Sequence, residues 1–402
     1  MPAPDSARGR RLVFAGLYFA EGAPIGYVWW TLPVVLARAG LAPERIGALL
    51  GWIVLPWGLK FLWAPLVDVL RGPRFGLRDW IAAAQVAMVA TLLPLAWIDP
   101  LERPGLLVGL LVAHAVAAAT QDVAVDTLAI HATGAGERGA LNGWMQVGML
   151  LGRGLFGGAA LVWRERLGDP GVVLALAAVL VGALALRPWL PPEPPPPAGG
   201  ALAGFGAHLG AALRRRTTWV LLAFAGTGAV AFETLGAFAG PYLAARGASD
   251  AGIGAFLALP AVAGLGAGAL IGGWWSDRAG RRPVLVGASL AVSAAALAFA
   301  WLPPGAAGWA ALASVYLAAG VMTAASYALF MDHTDPRLGA TQFSAAMGAT
   351  NLCEAWSARL GGRIASARGY PDAFAVAALL GLAALPLLGL LGRGSTADAD
   401  SP

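Results

Sequence analysis

Residues 119–131 read ATQDVAVDTLAIH, and the chain around them is apolar from Leu106 onward. On a helix, Asp122 and Asp126 are four positions apart and share one face, about one turn from each other. A carboxylate in the middle of a membrane helix costs roughly 2.5–3.5 kcal/mol on insertion scales, so such groups face a bundle interior or a wet cavity and have partners. The chemistry open to the pair is an ion pair with a buried base or a proton relay. Lys60, the only lysine among 27 basic residues, is the candidate partner. It lies about eight residues from the end of its apolar run, and Asp122 and Asp126 lie about nine and five from the same-side end of theirs, so at 1.5 Å per residue the depths overlap. Such a bridge either only holds two helices together or acts as a gate that opens when an aspartate is protonated. The sequence leaves both open.

Other polar groups lie at depth in apolar runs. Glu21 is about ten residues into the first, Glu233 about sixteen into the seventh, and Arg153 and Glu354 about fifteen into the fifth and eleventh. Gln121 adjoins Asp122, and Asp332 ends the tenth run. Tyr27, Trp30 and Trp144 offer faces for stacking on a ring or sugar. Gly22, Gly26 and Gly240 in the same runs allow close helix packing or a flexing gate.

The elements that must position these residues are membrane helices. Hydrophobic residues make up 58% of the 402 positions and charged residues 12%, against roughly 45–50% and 25% in soluble domains. Twelve apolar runs approach the roughly 20 residues that cross the hydrocarbon. They are expected near 12–37, 46–67, 80–98, 105–130, 139–163, 171–190, 218–245, 251–275, 284–302, 308–331, 339–363 and 372–392. RGPRFGLRD, DPLERPG, RERLGDPG and SDRAGRRP separate some of them. Arg8, Arg10 and Arg11 lead straight into the first run without a small-residue cleavage site, so that run is expected to be retained as an anchor. The segment 191–217 opens with PPEPPPPAGG and closes on RRRTT. It reads as a semi-rigid linker between a first six-helix half, 1–190, and a second, 218–402.

Arginine sets the orientation. With the N-terminus cytoplasmic, the inside segments carry clusters such as Arg8, Arg10 and Arg11, Arg214, Arg215 and Arg216, and Arg278, Arg281 and Arg282, while outside segments hold scattered ones such as Arg38, Arg164 and Arg246. The positive-inside rule then puts both termini in the cytoplasm. The net charge of +5 is a topology signal that leaves nothing for nucleic acid to explain, and the linker arginines suit anionic lipid headgroups.

The two halves repeat each other. Glu21 and Glu233, Asp68 and Asp277, and Asp122 and Asp332 are pairs at nearly equal spacing, and GALNGWMQVG at 139–148 aligns with GATQFSAAMG at 339–348. WWSDRAGRRP at 274–283 resembles the signature loop of the major facilitator superfamily, and APLVDVLRGPRFGLRD at 64–79 is its looser counterpart. A carboxylate at a helix end, a glycine turn and arginines can clamp neighbouring helix ends. Asp68, Asp277, Arg278, Arg281 and Arg282 are the candidate gating or structural residues. The alternative is a merely basic turn.

At a finer level LPWGLKFLWAPLVD at 55–68, ATQDVAVDTLAIH, ERGALNGWMQVG at 137–148 and ATQFSAAMGATN at 340–351 resemble the AmpG-related branch of that superfamily. The resemblance implies an all-α polytopic membrane fold of twelve transmembrane helices in two parallel six-helix repeats. Helices one, four, seven and ten then line a cavity on which Glu21, Asp122, Glu233 and Asp332 converge. Known members import anhydro-muropeptides, carry ferric siderophores or move acetyl-CoA.

Competing chemistries find little support. His114, His131, His208 and His333 show no H-x-x-x-H or H-E-x-x-H spacing, Cys353 stands alone, and no G-x-x-x-x-G-K-[ST] is present. No enzyme activity, cofactor or metal is expected. The expectation is a monomeric, proton-coupled importer of a small organic solute in the bacterial inner membrane. A sensor built on a transporter fold, or an exporter, is the alternative.

Overall fold

The computed structural model describes residues 6–64, 67, 75–133, 137–193, 210, 213–333 and 339–391. No strand is among the described elements. Apolar segments this long have no water with which to satisfy their peptide groups in a bilayer, so the backbone closes its own hydrogen bonds as helix.

Twelve helices follow in chain order among the described residues. They are α1 (Ala7–Arg38), α2 (Pro43–Leu62), α3 (Leu77–Ala96), α4 (Pro104–Ala132), α5 (138–167), α6 (169–184), α7 (Arg216–Ala245), α8 (Asp250–Ala279), α9 (Arg281–Trp301), α10 (Ala306–Asp332), α11 (Gly339–Arg368) and α12 (Tyr370–Leu390). Length and hydropathy alone single out 10 spans. One of these, Leu141–Trp189, is 49 residues long and holds most of α5 together with α6. α11 falls short because Gln342, Asn351, Glu354, Arg359 and Arg363 interrupt it.

Several boundaries differ from the sequence expectation. α1 begins about a turn early because Ser6 caps it, its hydroxyl accepting from Gly9 N over 3.0 Å. RERLGDPG is not an open loop. Helix runs through it with a single break at Gly168, whose φ of +67° lies in the left-handed region that glycine tolerates. Pro170 then sits in the first turn of α6, where its missing N–H has no helical partner to lose. Most of the linker lies outside the described residues. Where it begins, Glu193 accepts from Leu77 N and Arg78 N, both at 3.0 Å, and so caps α3.

The fold comprises two compact units. The first joins Met1–Leu41, Trp52–Pro197 and Gly240–Val262; the second joins Ala42–Gly51, Ala198–Ala239 and Ala263–Pro402. In the first, Phe14, Leu17, Leu77, Ile81, Val125 and Leu128 anchor a buried apolar cluster. In the second, Phe224, Leu285, Leu329 and Phe330 do so. Small residues set the closest approaches, as expected where lipid offers no hydrophobic drive between helices. A side chain added at Gly22 of α1 would lie 2.3 Å from the Met149 carbonyl oxygen of α5, and one at Gly268 of α8 would lie 2.0 Å from that of Leu317 in α10.

Among the described residues three helices carry a π turn: Tyr27–Thr31 in α1, Leu155–Ala159 in α5 and Leu257–Ala261 in α8. All three belong to the first unit. The wider turn leaves carbonyls poorly bonded, and Thr31 repairs this, its hydroxyl donating to the carbonyl oxygens of Phe156 at 2.9 Å and Gly157 at 3.1 Å.

Candidate functional site

The first unit gathers four of the expected polar residues into one cluster. The α-helical part of α2 ends at Leu59 and a tighter turn begins at Lys60. There the Lys60 ammonium pairs with Asp122 Oδ2 of α4 and lies 5.4 Å from the Trp57 ring. Trp63 Nε1 donates to Thr120 Oγ1 over 3.2 Å, tying the same turn to α4. The depth argument for Lys60 thus leads to Asp122 rather than Asp126.

Asp126 is held from α1 instead. Tyr18 Oη donates to Asp126 Oδ1 at 2.5 Å and lies 3.4 Å from Asp122 Oδ1. Glu21, one turn further along α1, is 1% exposed. Its electrostatic neighbours are Asp122, Lys60 and Asp126, with Asp122 within hydrogen-bonding reach. No hydrogen-bond donor among the described residues meets either oxygen of Glu21, and the Gln121 amide, fully buried beside Asp122, is in the same position. The cluster therefore sets three carboxylates against one ammonium, in surroundings where uncompensated charge is costly. Two carboxylates within reach of each other can be joined only by a proton between them, since neither ionised group donates.

Other expected residues lie elsewhere. Glu233 and Glu354 belong to the second unit, and both act electrostatically on the buried Cys353 thiol. Asp332 also belongs to the second unit. It accepts from Arg281 Nε at 3.1 Å at the end of α10, while Arg281 Nη1 donates to Asp277 over 2.5 Å. The charge at the helix end has gone to the nearest arginine. Arg282 donates to the Leu391 carbonyl, and Arg278 stacks 4.3 Å from the Trp274 ring. WWSDRAGRRP thus ties the ends of α8, α9, α10 and α12 within the second unit. Asp68, its expected counterpart, lies outside the described residues.

Among the aromatic candidates, Trp144 is 43% exposed. Trp30 is buried, its ring 2.7 Å from where a Gly157 side chain would begin, so it serves helix packing. Tyr27 is also buried, within electrostatic reach of Asp169 and Arg164. The Arg153 backbone abuts Gly26. Sequence reasoning missed Tyr18, whose partner Asp126 is 108 positions away; its ring and its polar tip give it no charge signal in an apolar run.

Residues 14–362 match the Major Facilitator Superfamily. An uncharacterized protein of Haemophilus influenzae is 34% identical over 149 residues, covering 36% of this chain and 35% of its own length. The anhydromuropeptide permease of Escherichia coli K12 is 30% identical over 189 residues, covering 46% of this chain and 38% of its own. The chain thus spans little more than a third of the length of these relatives. Among solved structures, the inward open form of the xylose transporter XylE from E. coli aligns with a TM-score of 0.77 at 12% identity, over 98% of both chains. The nucleoside transporter NupG aligns at 0.76 and 12%, over 95% of this chain and 100% of its own. At such identities these likenesses speak for the fold, whose twelve helices carry it. A family match across most of the chain, an all-helical membrane architecture and the clamped SDRAGRRP loop lead to one conclusion: the chain is a multi-pass membrane protein of the Major Facilitator Superfamily.

Proposed function

We propose that the chain is a proton-coupled permease of the bacterial inner membrane, with both termini cytoplasmic. It imports a muropeptide-like or siderophore-like organic solute by alternating access, with the segments 1–190 and 218–402 as its two moving halves. The observation that carries the coupling is the cluster of Glu21, Asp122, Asp126, Lys60 and Tyr18. Three acids on one base hold a proton at modest electrostatic cost, and taking up or releasing it changes which aspartate the lysine answers. The solute class rests on the similarity to the anhydromuropeptide permease and on the motifs in α2 and α4.

The test is uptake of a labelled panel, comprising a muropeptide, a ferric siderophore and an acyl-CoA, into inside-acid and inside-alkaline vesicles. Accumulation of one class that follows the imposed pH gradient is the expected result. Solute movement indifferent to the gradient would remove the proton, and accumulation of none of the panel would remove the solute assignment.

A further inference from the structure

Over residues 141–153, α5 has three distinct faces. At about 100° per residue, Leu141, Met145, Gly148 and Gly152 fall on one side and are buried. This face lies on α1: a side chain added at Gly148 would lie 2.1 Å from the Ala15 carbonyl oxygen, and one at Gly152 would lie 2.4 Å from that of Phe19. Trp144, Val147 and Leu151 fall together on a second side and are 43%, 48% and 59% exposed. Lipid tails, as apolar as these side chains, cover such a face without penalty. Asn142, Gln146 and Arg153 fall within about 40° of one another on the third side. There Asn142 and Gln146 are exposed and Arg153 is half-buried.

Lipid cannot cover that third face, and Arg153 is its decisive member. It stands midway along a helix of residues 138–167. At 1.5 Å per residue it is about 22 Å from Arg138, deeper than half of the roughly 30 Å of hydrocarbon. A guanidinium at that depth is expensive unless it meets water or an anion. Arg153 makes no hydrogen bond or ion pair among the described residues. The acids of the coupling cluster answer to Lys60 and Tyr18 instead.

We propose that Arg153, Gln146 and Asn142 form a solute-binding face, on which the guanidinium takes a carboxylate and the two amides pair with peptide-like groups further along. A guanidinium matches a carboxylate with two parallel donors. A carboxamide both donates and accepts, which is what a peptide unit asks of its partner. Gln146 is seven residues from Arg153 and Asn142 eleven, so the face is about 16 Å long. An extended peptide of about five residues has that reach. The inference rests on the transport reading and narrows its solute to a peptide-bearing carboxylate, the muropeptide-like class.

The test reads labelling rather than transport. In a Cys353→Ser background, Asn142→Cys, Gln146→Cys, Val147→Cys and Leu151→Cys are introduced one at a time into the full chain. Each protein is placed in lipid nanodiscs and treated with a charged maleimide that reacts only from water. Positions 142 and 146 should label at least tenfold faster than 147 and 151, although all four are exposed in the structure. Equal rates would mean that no wet face exists, and the proposal would fall.

A muropeptide should then slow labelling at position 146, and the same molecule with its carboxylates converted to amides should not. Arg153→Gln should raise the muropeptide concentration for half-protection at least tenfold, the factor that goes with a lost charge-assisted bond. Arg153→Lys, which keeps the charge without the fork, should raise it less. Equal protection by the amidated molecule, or protection by neither, would overturn the carboxylate assignment. If Arg153→Gln also opens position 147 to the label, that variant has unfolded and the amidated molecule decides alone. A protein that passes both arms yet moves no solute would keep the binding face while the transport reading fell. One that accumulates muropeptide along a proton gradient but labels all four positions alike would keep the transport reading and lose the face.

Discussion

Tyr18 Oη lies 2.5 Å from Asp126 Oδ1, so a phenol of α1 donates to an aspartate of α4 that Lys60 does not pair with. The two aspartates of ATQDVAVD are therefore not equivalent. One answers to a base, the other to a neutral donor.

Removing that donor separates their roles. Tyr18→Phe keeps the ring and loses a hydrogen bond to a charged group, worth about 1.5–3 kcal/mol. Folded yield should fall moderately, and the pH at which uptake is half-maximal should shift, because Asp126 loses the bond that steadies its charged form. An unaltered pH profile would make Tyr18 a packing residue.

Lys60→Met leaves a buried carboxylate uncompensated, at roughly 3–5 kcal/mol, and should sharply lower folded yield measured by size-exclusion chromatography. Adding Asp122→Asn should restore yield, and adding Asp126→Asn should not, because the ammonium sits on Asp122. If transport returns with yield, the pair is structural. If yield returns alone, it is a gate or relay.

Glu21→Gln should abolish gradient-driven accumulation while leaving solute exchange intact, and Glu233→Gln is the matching test in the second unit. Full accumulation in both variants would put the coupled proton elsewhere.

Asp277→Asn leaves Arg281 with Asp332 alone. The lost pair is exposed and worth about 0.2–1 kcal/mol, so transport should slow by a small factor while equilibrium binding stays near normal, as befits a group that biases which state is populated. An unchanged rate would return the loop to a basic turn.

Two glycines give a stability contrast. Gly268→Ala would drive its new methyl to 2.0 Å from a backbone oxygen, which cannot swing aside, whereas Gly236→Ala meets nothing within 4 Å. The first should lower the melting temperature by several degrees. The second should leave it unchanged or slightly raise it, because alanine suits a helix better by about 0.5–1 kcal/mol.

Length and hydropathy made the helices legible, and the scarcity of charge made the cluster legible. With a single lysine in the chain, its pairing with an aspartate of matching depth was almost forced. Equal spacing in a repeat predicts equal position along a helix but not which neighbour is nearest, so nothing in the sequence signalled that Asp332 would meet Arg281. Tyr18 stayed hidden because tyrosine is at home among apolar residues. Arg38 was legible only as a topology signal, and nothing in its segment announced Asp250 as its partner.

The π turns left no trace in composition either, yet they set a bearing. A π turn holds one residue more than the α turn it replaces, so everything beyond it is rotated about the helix axis by about 100°. In α1 the turn at Tyr27–Thr31 comes before Arg38. Trimming one residue from it would restore a regular helix, alter no side chain at the helix end, and swing the guanidinium a quarter-turn or more away from Asp250. The direction in which Arg38 faces is thus written into chain length, and a deletion there should part Arg38 Nε from Asp250 Oδ1, which it meets at 3.0 Å.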